Sequence, residues 1–218
     1  MITDIRPIVW IEGLIGSGKT SLSKSLADML KMRVMYEPVD ENPYLHDFYV
    51  NPKRWAFAMQ IHLLGIRAGL QDLASEEVMW GFQYNGVILD RGLPGDNAFC
   101  KLHVKAGNIT EREYETYRVL YRHRTNRLKP PSIMIFLDVE PEVALRRIKE
   151  RARGAEVNID IKYLSDLRDC YYDLLVELSN GDHIWAGKVE IKKVPWNSNH
   201  QDPNIIANIL RKEFPILA

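Results

Sequence analysis

Cysteine is scarce, net charge is absent and long apolar runs are missing, and each shortage removes a class of protein. The two cysteines, Cys100 and Cys170, stand in no metal-ligand spacing, so a disulfide-stapled scaffold and a structural zinc site are both poor readings. Lys and Arg total 29, as do Asp and Glu, which leaves a formal net charge of zero. A general nucleic-acid binder needs surplus cations to release counterions, and this composition supplies none. No apolar stretch nears the roughly 20 residues that span a bilayer. The start, Met1 to Pro7, has neither a charged-then-apolar signal pattern nor an Arg- and Ser-rich, acid-poor transit pattern. The six histidines share no ligand spacing either. These absences lead to the expectation of a cytoplasmic protein with neither membrane nor nucleic acid as partner.

What is present is ordinary for a globular chain: 218 residues, 46% hydrophobic and 27% charged, a length that suits one α/β domain over 1–218. Five short apolar runs stand out: Ile8–Ile11, Val34–Tyr36, Val87–Leu89, Ile133–Val139 and Val189–Val194. Helical periodicity fills the intervals at about 19–31, 52–75, 94–106, 110–128, 141–153, 160–179 and 202–213. Strands alternating with helices predict a five-stranded parallel sheet flanked by helices in three layers. The first four runs are near-continuously apolar, as strands buried on both faces should be, while the fifth alternates with lysines and is expected at or near an edge. Thr110 with Glu113 fits a capping box, and Pro52, Pro94, Pro141 and Pro203 fall where a first helical turn tolerates proline.

Gly13-Leu14-Ile15-Gly16-Ser17-Gly18-Lys19-Thr20 satisfies G-x-x-x-x-G-K-[ST], between a predicted strand and a predicted helix. Glycines allow a tight backbone whose N–H groups face phosphate oxygens, and the helix N-terminus adds a favourable dipole. Gly13, Gly16, Ser17, Gly18, Lys19, Thr20 and Ser21 are therefore expected to hold a nucleoside triphosphate. Lys19 can reach the β- and γ-phosphates, and Thr20 can ligate Mg2+.

Three features point to the acceptor. Glu37-Pro38-Val39 ends the second predicted strand, on the edge where ligands of open α/β sheets gather, and a carboxylate there can act as general base toward a hydroxyl. Asp90-Arg91 ends the third, where the acid can hold Mg2+ and the guanidinium can clamp phosphate. Arg146, Arg147, Lys149, Arg151 and Arg153 crowd one helix end; they suit a solvated basic face, or a flap over the triphosphate.

With Tyr49-x-x-Pro52-Lys53-Arg54-Trp55-Ala56-Phe57-Ala58-Met59-Gln60 and Arg147-x-x-x-Arg151-x-Arg153-x-x-Glu156 added, the chain resembles the deoxynucleoside kinase family over nearly its whole length. Glu41-Asn42-Pro43-Tyr44-Leu45 is most similar to the bacterial-type purine enzymes. The resemblance implies a P-loop kinase fold, an ATP donor with Mg2+, a deoxynucleoside acceptor and a homodimer formed through the 52–75 and 112–129 helices. It also implies that Glu37 activates the sugar 5′-hydroxyl, that Arg91 holds that hydroxyl and the transferring phosphate, and that Asp90 places Mg2+. Gln60 would pair with the base edge, Tyr49 and Glu156 with the 3′-hydroxyl, and Arg147, Arg151 and Arg153 would form a lid at about 147–160. Trp55 and Phe57 fit the apolar wall of that site or the core equally well. The chain departs from the family pattern at Asn42, Met59, Gly92, Asn97 and Cys100; Asp96 and Asn97 fit either a base-reading pair or a helix start.

Two rivals are a nucleoside monophosphate kinase and a non-catalytic nucleotide-binding subunit. The first needs cations near Glu37 for the acceptor phosphate, and the Val39–Leu45 run has none. The second predicts erosion at Lys19, Glu37, Asp90, Arg91 or Arg151, all of which are present. A switch GTPase lacks its Asn-Lys-x-Asp run.

Overall fold

The computed structural model describes residues 5–38, 41–151, 159–181, 183–198 and 201–218. Five parallel strands lie in the order β2-β3-β1-β4-β5, with β1 at Ile8–Gly13, β2 at Arg33–Tyr36, β3 at Val87–Asp90, β4 at Ile133–Asp138 and β5 at Glu190–Pro195. β1 is buried along its whole length and β4 nearly so, as expected of central strands covered on both faces. β5 is an edge, which its lysines anticipated. β2 is the other edge: Arg33 and Tyr36 are exposed, so the expectation that this run is buried on both faces does not hold. Three apolar residues in a row do not distinguish an outer strand from an inner one.

Helices α1 (Lys19–Leu30), α2 (Leu45–Val50), α3 (Pro52–Trp80), α4 (Leu93–Lys105), α5 (Glu111–Thr125), α6 (Pro141–Arg151), α7 (Ile161–Asn180) and α8 (Asn204–Glu213) flank the sheet. Their ends carry the expected chemistry. Asn51 accepts from the Arg54 N–H ahead of Pro52, Asp160 accepts from the Tyr163 N–H at 2.7 Å, and Thr110 and Glu113 form both halves of a capping box. The buried apolar side chains form one cluster running from Ile8 to Leu217. Among the described residues, no helix is long and apolar enough to cross a membrane.

The strand register positions the site. Ile11, Tyr36 and Asp90 are partners across β1, β2 and β3. The residues that follow them, Glu12, Glu37 and Arg91, therefore lie side by side at the carboxyl edge, Glu12 still within β1 and Arg91 in the middle.

Candidate active site

The loop from Gly13 to Gly18 wraps the N-terminus of α1. Gly16 has φ 78°, and a Cβ there would lie 2.6 Å from the Ala144 carbonyl oxygen, so glycine lets the loop press against α6. The Lys19 ammonium donates to the Gly13 and Leu14 carbonyls at 3.1 and 2.7 Å. Burial pushes it down to about 7, with the Arg91 cation adding to the effect and Asp90 and Glu12 opposing it. The Thr20 hydroxyl donates to Asp90 Oδ2 at 2.5 Å, joining the first turn of α1 to the end of β3. A cavity of about 380 Å3 opens beside the loop, lined by Gly16, Ser17, Gly18, Ser21, Arg147 and Arg151 among others. Trp196, which follows the edge strand, forms another part of its wall. Arg147 also donates to the carbonyls of Ser17, Trp196 and Ser198, fastening α6 to both sides of the cavity.

On the other side of Lys19, α3 brings a run of polar side chains beneath the strand ends. Arg67 is 4% exposed and is gripped by two acids: its Nη2 lies 2.8 Å from Glu37 Oε1 and its Nη1 pairs with Asp96. Burial opposes its charge, and Glu37 and Asp96 outweigh that penalty, so the guanidinium is held above its ordinary value. The second Asp96 oxygen accepts from the Tyr117 hydroxyl at 2.6 Å. Gln60 donates through Nε2 to the Asp96 carbonyl at 2.9 Å, which fixes the plane of its amide. Among the described residues two buried oxygens in this cluster accept no hydrogen bond, Glu37 Oε1 and Gln60 Oε1; the Arg67–Glu37 approach is close but poorly angled. Both are acceptors suited to a hydroxyl or amino donor.

Met59 is buried next to Gln60, while Trp55 and Phe57 are half-buried and pack on the core. Tyr49 stands at the end of α2, edge-on to Phe48. Arg91 closes the cluster. Its φ is 88°, rare for a residue with a side chain, and its guanidinium lies 4.8 Å over the Phe99 ring and 3.8 Å from Glu37. Burial opposes its charge too, but Tyr171, Glu12, Glu37 and Asp90 raise it well above the ordinary value.

A family model described as deoxynucleoside kinase matches residues 9–212. The chain belongs to the deoxynucleoside kinase family. It is 34% identical to a deoxyadenosine kinase of Dictyostelium discoideum over 204 residues, covering 94% of this chain and 78% of that protein. It is 33% identical to a deoxyguanosine kinase of the same organism over 213 residues, covering 97% and 71%. A solved deoxyadenosine kinase from M. mycoides with bound dATP superposes with a TM-score of 0.79 at 26% identity, covering 94% of this chain and all of that one. As a deoxynucleoside kinase, this chain is a phosphotransferase that passes a phosphoryl group from a nucleotide donor to a deoxynucleoside acceptor.

Most residues singled out in this kinase from sequence fall in two groups: the loop, Arg147 and Arg151 at the donor cavity, and Glu37 and Arg91 at the strand ends, tied through Arg67 to Asp96 of α4 and so to Gln60 of α3; the Thr20–Asp90 bond joins loop to strand end. Both carboxylate oxygens of Asp96 are engaged, one by Arg67 and the other by Tyr117. Val39, Arg153 and Glu156, and the lid between 152 and 158, lie outside the described residues. The sequence reading missed Glu12, Arg67, Tyr117 and Tyr171. A signal existed for two of them: Glu12 is an acid in an otherwise apolar run, and Arg67 follows Gln60 by seven residues, two helical turns on the same face.

Proposed function

We propose that the chain transfers the γ-phosphoryl group of ATP to the 5′-hydroxyl of a purine deoxynucleoside, as a cytoplasmic homodimer. The observation that carries the catalytic part is the row Glu37–Arg91–Glu12 at the sheet edge, with the Lys19 loop alongside. Glu37 takes the proton of the 5′-hydroxyl. The oxygen attacks the γ-phosphorus as its bond to the β-phosphate oxygen breaks, and Arg91 and Lys19 hold the charge of the equatorial oxygens. The paired oxygens of Thr20 and Asp90 suit Mg2+, a hard cation that binds through one or two protein oxygens plus phosphates. That ion would neutralise charge on the β- and γ-phosphates. Arg147 and Arg151 hold the donor side, and Arg153 extends the lid.

For the base, Gln60 offers Oε1 as acceptor and its second N–H as donor, a pair that matches a purine edge. The similarity to deoxyadenosine and deoxyguanosine kinases supports the same choice. Met59, Trp55 and Tyr49 frame the acceptor, and Tyr49 with Glu156 takes the 3′-hydroxyl.

The monophosphate-kinase reading gains a cation that the sequence argument did not count, Arg67. Yet the cluster sets two guanidiniums, Arg67 and Arg91, against the three carboxylates Glu12, Glu37 and Asp96. That balance leaves no positive surplus for an acceptor phosphate. A panel assay tests the choice: MgATP with dA, dG, dC, dT and their monophosphates. Turnover of dA or dG and of no monophosphate is expected; turnover of a monophosphate alone would overturn it.

Support for the dimer comes from α3 and α5. Leu73, Val119 and Leu120 are exposed, and added Cβ atoms at Gly65 and Gly69 would meet nothing within 4 Å. Mid-helix glycines cost about 1 kcal/mol each relative to alanine and find their use where another helix comes close.

A further inference from the structure

Arg91 is built in a way that its own pair with Glu37 does not explain. A residue with a side chain at φ 88° is strained, and such strain persists where the surroundings over-determine it. Here two groups do so. The Arg91 N–H donates to the Ile11 carbonyl at 3.1 Å, and the next N–H, that of Gly92, donates to Glu12 Oε1 at 2.6 Å. Glu12 is fully buried and its other oxygen accepts from the Tyr171 hydroxyl at 2.9 Å. That hydroxyl in turn accepts from Arg91 Nη1 at 2.6 Å. Glu12 therefore touches the Arg91 segment twice, at the backbone directly and at the guanidinium through Tyr171.

The surrounding packing fits this hold. A Cβ on Gly95, in the first turn of α4, would lie 2.6 Å from both Glu12 oxygens, so the helix is glycine where it meets the carboxylate. Apolar replacements would bury at lower cost than an acid at the end of a buried strand. The pull is also directional. Arg91 lies between two carboxylates, 3.8 Å from Glu37 and 3.9 Å from Glu12, paired loosely with both and hydrogen-bonded to neither. The Tyr171 hydroxyl is what its Nη1 bonds to. Without that anchor the guanidinium is free to collapse onto Glu37, engaging the base and withdrawing its own donors from the phosphoryl group.

We infer that Glu12 and Tyr171 are positioning residues for phosphoryl transfer, a carboxylate–phenol latch that fixes the backbone and guanidinium of Arg91 and keeps it off Glu37. This rests on the reading of Arg91 given above and extends it to α7, which had no assigned part in the chemistry.

A double-mutant cycle on kcat tests it, with deoxynucleoside KM, ATP affinity and melting temperature measured alongside. Tyr171→Phe removes one oxygen and keeps the ring in the core. It is expected to lower kcat by about tenfold or more, the worth of one charge-assisted hydrogen bond, with KM and ATP affinity little changed and the melting temperature lowered, because the buried Glu12 Oε2 loses its donor. Placed in an Arg91→Lys background, which already lacks the planar fork, it is expected to cost less than twofold. Glu12→Gln, which keeps an oxygen for the Gly92 N–H, gives a second reading of the same cycle. A wild-type kcat in Tyr171→Phe, or the same loss in both backgrounds, would overturn the latch. A wild-type kcat in Arg91→Lys would instead overturn the role of Arg91 itself.

Discussion

Lys19 carries a prediction that depends on sign. Its ammonium is buried, with a pKa of about 7, and an arriving triphosphate favours the charged form. Donor binding at pH 8 should therefore take up a proton, and affinity for MgATP should fall as pH rises above 7. Calorimetry at pH 8 in buffers of different ionisation enthalpy reads the uptake; buffer-independent heats would contradict it. Gly92 carries another. A Cβ there would lie 2.5 Å from the Trp10 ring, which packs at a tilt against Trp185 and donates to Gln71 at 2.8 Å. A side chain at this place thus has to displace Trp10. Gly92→Ser should cost about 1–3 kcal/mol, read as a lower melting temperature, and Trp10→Phe in the same chain should recover part of it. An unchanged melting temperature in Gly92→Ser would contradict the clash. Phe99 lies under Arg91, which occupies one of its faces.

At the scale of elements, local chemistry predicts well wherever a signal is complete. Thr110 accepts from the Glu113 N–H while Glu113 bonds back to the Thr110 N–H at 2.8 Å. Thr110→Ala should cost about 1 kcal/mol of stability by chemical denaturation and leave kcat unchanged, since Thr110 caps the start of α5 and the nearest contact of that helix with the site, among the described residues, is Tyr117 further along it. A loss of kcat with no loss of stability would refute that division. The sequence was legible here because strand, loop and cap motifs are contiguous. It was silent on α2, six residues long and too short for periodicity to show, and it placed the end of α3 at 75 where the helix runs to Trp80. It was silent also on Tyr117 and Tyr171, because these meet Asp96 and Glu12 only across α5 and α7, and the helical spacing that singles out Arg67 says nothing of its meeting with Glu37. Residues far apart in sequence become one network by packing, and no spacing rule encodes that.

For the whole molecule, sheet order does the functional work. Placing β3 between β2 and β1 is what seats Arg91 between Glu37 and Glu12, and only the register makes those residues neighbours. The homodimer proposal is tested by sedimentation: Gly69→Ala should weaken self-association, whereas a lone subunit would remain one and gain helix stability. The central claim is that Glu37 is the base for a neutral nucleoside hydroxyl, held in place by Arg67. The measurement that bears on it most directly is single-turnover phosphorylation by Glu37→Gln, with deoxynucleoside affinity measured on the same protein. The account predicts a rate lower by about 10²–10⁴-fold with affinity within a few-fold of wild type, since the amide keeps the shape and loses the proton acceptor. A near-wild-type rate would contradict it.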